Sequence, residues 1–191
     1  MGAKFSTYFL PSTFYFLPST HIPMSLAESL LPEFDHETAT TRTLLERVPD
    51  DQAAFRPHPK SMSLGELAMH ISVLPRWAPI ALKETQFDTS PPGGPPHVQS
   101  PFASTAQMLA AYDEGVNASR AMLAAATDGE LMALWTLKTG GKTVFSMPRV
   151  AVFRAFIMNH AIHHRGQLSV YLRMCGVPLP SIYGPTADTQ E

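Results

Sequence analysis

Between residues 86 and 103 the chain carries Pro91, Pro92, Gly93, Gly94, Pro95, Pro96 and Pro101, a density of helix breakers that divides everything around it. Extended at about 3.3 Å per residue, such a segment reaches on the order of 55 Å. A helix of about 20 residues is only roughly 30 Å long. The segment can therefore cross a whole helical domain, and the helices on either side of it need not be antiparallel neighbours.

Apolar residues on both sides recur with the helical period. The first helix is predicted from about Ser25 to Val48, with Ser25 and Glu28 as a capping box and a stripe of Leu30, Phe34, Thr38, Thr41, Leu45 and Val48. Pro32 offers an alternative first turn, and Pro49 ends the run. A second helix opens at Ser63 with Glu66 three residues on, and carries Leu67, His70, Ile71 and Leu74 on one face until Pro75 and Pro79 bend it. The third starts at Ser104, with Gln107 completing its box, and presents Leu109, Tyr112, Val116, Met122 and Leu123. The fourth begins near Pro148 and follows Val152, Phe153, Phe156, His160, His164, Leu168 and Tyr171 to a stop at Gly176. Two β-prone runs, Trp135–Thr139 and Lys142–Phe145, flank Gly140-Gly141 and read as an accessory hairpin. The expectation is an all-α four-helix bundle with a long crossover and a small β-hairpin.

Residues 1–23 differ from the rest. YFLPST occurs at Tyr8–Thr13 and again at Tyr15–Thr20. Lys4 before an apolar stretch suggests a signal peptide, but Pro11 and Pro18 interrupt the stretch and no small-x-small site follows. We expect a disordered or non-native extension here, and a helical domain over residues 24–191.

Hydrophobic residues make up 45% of the 191, enough to build one core, and the formal charge of -2 gives no basic field for nucleic acid or an acidic membrane. The expected partner is a small molecule. One cysteine, Cys175, excludes an internal disulfide and a thiolate metal cluster, which suits a reducing cytoplasm.

Eight histidines make imidazole the plentiful metal ligand. In Asn159-His160-Ala161-Ile162-His163-His164-Arg165-Gly166-Gln167, His160 and His164 stand one helical turn apart, and both can reach one ion. His163 points about 60° away from His160 around the axis. Two imidazoles bind weakly, so a third donor is needed. His70 lies mid-helix on an apolar face, where an unpaired imidazole is costly. A lone buried histidine is more often a hydrogen-bonded core residue than a ligand; the His160/His164 pair is what makes His70 the third candidate. Gln167 is placed to orient a ligand, and Arg165 to meet a carboxylate elsewhere. His36 is placed to line a pocket, as is Trp77, whereas His58 and His97, flanked by prolines, are expected in solvent.

Several weaker signals fail. Gly141-Lys142-Thr143 lacks the glycine five positions earlier that a phosphate-binding loop requires, since Thr136 stands there. Lys138-Thr139-Gly140 has no Ser-x-x-Lys partner in the chain.

The run NHAIHHRGQLSVYLR, followed by Gly176-Val177-Pro178-Leu179-Pro180 and Tyr183-Gly184-Pro185, resembles the C-terminal signature of the DinB/YfiT-like metalloenzyme family. Lys60–His70 is similar to that family's second helix, and Glu33–Glu37 with Thr41-Arg42 to its first. The likeness covers about Leu26 to Asp188. It implies a four-helix bundle, up-down-down-up, often homodimeric, with zinc or nickel held by His70, His160 and His164. Related branches include bacillithiol S-transferases and mycothiol-dependent maleylpyruvate isomerases.

Three imidazoles leave one coordination position open, as catalytic zinc requires. Hydrolysis is the first functional reading; its weakness is the base, because no Glu follows the first histidine and only Glu37 or His36 offers one. Attack by a low-molecular-weight thiol is the alternative and needs no protein base. A non-enzymatic, metal-dependent ligand-binding stress protein is the third.

Overall fold

Ser25 opens the first helix by capping it. Its Oγ accepts the Glu28 backbone N–H at 3.1 Å, while the Glu28 carboxylate accepts the Ser25 N–H at 2.8 Å. The computed structural model describes residues 24–189, so the YFLPST repeat and the expected extension over residues 1–23 lie outside the described residues.

From that cap α1 runs Leu26–Leu45, straight through Pro32. A proline removes one intrahelical donor. The reciprocal cap and the burial of Ala27, Leu30 and Phe34 hold the turns around it, so Pro32 is not the start. The box of Ser63 and Glu66 opens α2, Leu64–Val73. A 3-10 turn, Leu74–Arg76, carries Pro75 and leads into α3, Trp77–Lys83. The expected second helix is thus two helices joined at a proline. Beyond the breaker segment, Ser104 caps α4, Thr105–Ala125, by accepting the Gln107 N–H; Gln107 does not reciprocate, so the box is half made.

The inner face of α4 keeps Tyr112 and Leu123 as expected but otherwise departs from expectation. Met108, Tyr112, Gly115, Ser119 and Leu123 are buried, and Leu109, Val116 and Met122 only partly covered. The small residues explain the rotation. Ser119 Oγ donates to the Pro75 carbonyl, and a Cβ on Gly115 would fall 2.9 Å from Arg76 Cγ. The proline turn approaches α4 where side chains are smallest.

A short α5, Asp128–Met132, capped by Thr127 and Glu130, precedes the hairpin of β2, Leu134–Thr139, and β3, Lys142–Pro148. Gly140 and Gly141 turn at φ 59° and 76°, a left-handed pair that two-residue hairpins need. The breaker segment adds a third strand: β1, Gln86–Asp88, pairs parallel with β2, giving the order β1-β2-β3. The fold is therefore mostly helical with a small sheet, not all-α. Nor is the sheet a mere lip. Trp135 and Leu137 are buried with Ala81 and Val152.

The last helical rod starts at α6, Arg149–Ala151, passes through a π-helical stretch, Val152–Met158, and continues as α7, Asn159–Met174. Gly176 at φ 73° ends it, with the Gly176 and Val177 N–H groups returned to the Arg173 and Leu172 carbonyls. The helix α1 packs on α4 and α7, and α2 packs on the same pair, closing a circuit of four. No described helix is long and apolar enough to cross a membrane.

Two glycines should respond in opposite senses. Gly166 in α7 has no atom within 4 Å of an added Cβ, so Gly166→Ala should raise the melting temperature by reducing unfolded-state entropy, about 0.4–1 kcal/mol. Gly65 in α2 would place a Cβ 3.0 Å from Phe102, so Gly65→Val should lower it. Thermal denaturation of both variants checks the pair.

Candidate metal centre

His70 stands near the end of α2, and His160 and His164 on the first turns of α7. Because α2 packs directly on α7, the three rings meet. Their centroids lie 5.0 Å (His70–His160), 4.7 Å (His70–His164) and 4.7 Å (His160–His164) apart. One ligating atom of each lies within 4.8 Å of the others, and among the described residues these three are the group of ligand type that converges so.

The outer nitrogens are all engaged by oxygen. His70 Nδ1 meets Gln99 Oε1 at 3.3 Å, His160 Nδ1 the Phe156 carbonyl at 3.3 Å, and His164 Nδ1 Gln167 Oε1 at 2.7 Å. An oxygen acceptor draws a proton to Nδ1, so that in the neutral ring the lone pair is carried by Nε2. His70 Nε2 and His160 Nε2 are 3.2 Å apart. Two nitrogens bound to one tetrahedral ion at 2.0–2.1 Å stand about 3.3 Å apart. The donor set and its spacing fit a borderline divalent ion.

Electrostatics act in the same direction. Burial, then the neighbouring rings of His164 and His70, push the His160 imidazole down to about 4, against the Phe156 carbonyl. Burial also lowers His164, opposed by its bond to Gln167. Both rings are therefore neutral near pH 7, the form that ligates.

The π-helical stretch sits directly before His160 and widens the turn that carries Phe156. Phe156 contributes twice, with its carbonyl to His160 and its ring 5.8 Å from the same imidazole. Trp77 packs edge-on to Phe156 at 5.3 Å, so it lies one ring removed from the cluster and lines a separate small cavity of about 100 Å³ with His97 and Gln99.

Arg165, next to His164, points the other way and is 1% exposed. It donates to Glu37 Oε2 at 2.7 Å, to the Glu37 carbonyl at 3.1 Å and to Thr41 Oγ1 at 3.2 Å. Tyr183 donates its hydroxyl to the same Glu37 oxygen at 2.8 Å, tying the C-terminal segment to α1. The carboxylate expected for Arg165 is thus Glu37, which is engaged there rather than standing beside the rings as a base. His36 is exposed; it lies about 200° around the helix from buried Phe34, so it lines no pocket with the cluster. His163 is also exposed and accepts from Gln167 Nε2 at 3.2 Å. His97, though exposed, packs against Trp77 and Phe87. Gln99 was invisible in the sequence, where it sits unremarkably within the breaker segment; only its folding back onto His70 gives it a role.

Fold and site together define a helical protein that gathers three imidazoles from two helices onto one point. The chain belongs to the DinB family, whose profile matches residues 24–191. The uncharacterized protein YrdA of Bacillus subtilis (strain 168) is 27% identical over 165 residues, spanning 84% of this chain and 90% of that one. Among solved structures, a DinB-like protein from Bacillus cereus ATCC 10987 superposes with a TM-score of 0.60 at 23% identity, covering 82% of this chain and 97% of that one. A DinB-like protein of Bacillus subtilis, YjoA, gives 0.59 at 22% identity, with coverages of 81% and 96%. These two show a shared fold.

Two outcomes follow from the site. With His160 held near 4 in the folded chain and about 6.5 unfolded, the unfolded state binds more protons across that window. Stability of metal-free protein should therefore fall as pH drops from about 6.5 to about 4 and level off below, with a shallower fall in His160→Ala; melting curves against pH measure it. Arg165→Ala leaves Glu37, whose side chain is 12% exposed, without its counter-charge, and should cost about 3–5 kcal/mol in urea unfolding.

Proposed function

We propose that this DinB family chain binds one divalent metal ion, zinc or nickel, through Nε2 of His70, His160 and His164, and that the ion is catalytic. The observation that carries the proposal is the convergence of the three rings, each with Nδ1 against an oxygen and with one ligating nitrogen of each within 4.8 Å of the others. A structural zinc site takes four protein ligands, whereas three leave a position for a reactant. When bound, the ion supplies a Lewis acid that polarises a substrate and favours the anionic form of a water or thiol beside it.

Around that position the chain's own residues orient and shield. Gln99 and Gln167 hold two of the rings in register, and the Phe156 ring covers the His160 side. The domain we propose spans residues 24–191 as a four-helix bundle, up-down-down-up and homodimeric, as the family resemblance implies, and cytoplasmic, as the single Cys175 suits.

Hydrolysis and thiol transfer both suit such a centre, and one observation separates them. Among the described residues no Asp or Glu joins the cluster, and Glu37 is committed to Arg165 and Tyr183. Hydrolysis benefits from a protein base. A low-molecular-weight thiol that ionises at the ion needs none, so we favour a metal-dependent thiol transferase or isomerase over a hydrolase.

Elemental analysis of purified protein should find about one equivalent of metal per chain and at least a tenfold loss in His70→Ala and His164→Ala, with a smaller loss in Gln167→Ala. Stoichiometric metal in both histidine variants would sink the site. On the loaded protein, conjugation of a chromogenic electrophile with a cysteine-derived thiol should exceed hydrolysis of nitrophenyl esters without thiol. The reverse order restores the hydrolase reading, and neither reaction leaves a metal-dependent binding protein.

A further inference from the structure

Beside the cluster, the segment 56–62 and the segment 99–102 bound an open cleft of about 570 Å³. That is within the range of small-molecule sites, roughly 300–1,000 Å³. It is not the place where the three Nε2 atoms converge. The cleft touches Gln99, which lies on the Nδ1 side of His70, behind the ring as seen from the point of convergence.

The lining has two halves. Met62, Met69 and Phe102 give it an apolar floor. The polar groups are one-sided. Glu66, the carboxylate present, accepts from the Ser63 N–H and from Arg56, so these two charges face each other within the lining. Lys60 forms no ion pair among the described residues, and the Gln99 amide nitrogen has no partner, because Gln99 contacts His70 through Oε1. What the cleft offers a ligand is therefore a free cation and a free N–H donor above thioether and aromatic surface.

We propose that this cleft is a binding site for a small amphipathic carboxylate, its head group received by Lys60 and the Gln99 amide, its apolar body lying on Met62, Met69 and Phe102. Aspartate or glutamate side chains that would repel such a head group are absent from the lining apart from the paired Glu66. The methionines suit an apolar body of variable shape, since an unbranched thioether adapts its rotamers to what it covers. A ligand held there presses on Gln99 and hence on the orientation of His70, which links occupancy of the cleft to the histidine cluster. The proposal names the ligand class for the region beside the metal centre and rests on that reading only for the link, not for binding itself.

The test uses the full chain, its methionine methyl groups labelled with carbon-13, titrated with straight-chain carboxylates from butanoate to octanoate. Shift changes should be confined to Met62 and Met69 among the ten methionines, with affinity rising about fourfold per added methylene, as about 0.8 kcal/mol for each requires. Lys60→Glu should weaken octanoate at least tenfold, octanamide should bind more weakly than octanoate, and Gln99→Leu should weaken octanoate several-fold. The metal-deficient His164→Ala variant should still bind octanoate within about threefold of wild type. Binding lost in His164→Ala but kept in Lys60→Glu would place the carboxylate on the metal and overturn the cleft. So would shift changes away from Met62 and Met69, or no binding up to the solubility limit. Metal content of the same samples reports independently on the centre, so failure of one reading leaves the other standing.

Discussion

Three imidazole rings gathered around one point bring nitrogen lone pairs into repulsion unless a cation or a proton stands between them, and the structure maintains that arrangement from outside. Each ring is held by its far nitrogen: Gln99 fixes His70, the Phe156 carbonyl fixes His160, and Gln167 fixes His164. The oxygens come from three different kinds of place, a breaker segment, a π-helical turn and α7 itself. Without them the neutral tautomers would be free to turn, and the same three residues would be an ordinary aromatic contact between α2 and α7.

The arrangement also needs α7 held at a fixed rotation. Arg165 follows His164, about 100° further around the helix, and faces the interior, where Glu37, Thr41 and Tyr183 receive its donors. A buried guanidinium is strongly destabilising when unpaired, so this node tolerates one register of α7 against α1. Charge burial at Arg165 thereby sets the direction in which His160 and His164 project. The C-terminal segment joins through Tyr183 and through Asp188, which pairs with Arg173.

Much of this was legible beforehand, and for physical reasons that differ by feature. Helix starts are local: Ser25 with Glu28 and Ser63 with Glu66 satisfy donors within three residues, and both boxes are present. The four-residue spacing of His160 and His164 is likewise local, because one turn of helix places both rings on one side. The Gly140-Gly141 hairpin is set by its own φ angles. Where partners are distant, the reading went astray. The buried face of α4 was assigned to the larger side chains, but Gly115 and Ser119 lie innermost because the Pro75 turn needs room there. The strand β1 arises inside a segment whose prolines argue against any regular element, since its pairing partner β2 lies some fifty residues on.

The sequence by itself determined the helical repeats, their caps and the two histidines of the final helix, all of which depend on interactions spanning a few residues. Only the tertiary structure decided that His70 meets them, that Gln99 stands behind His70, and that Glu37 belongs to Arg165 rather than to the cluster. Those outcomes depend on which helix faces are pressed together, and that is a property of the whole packed core rather than of any single segment.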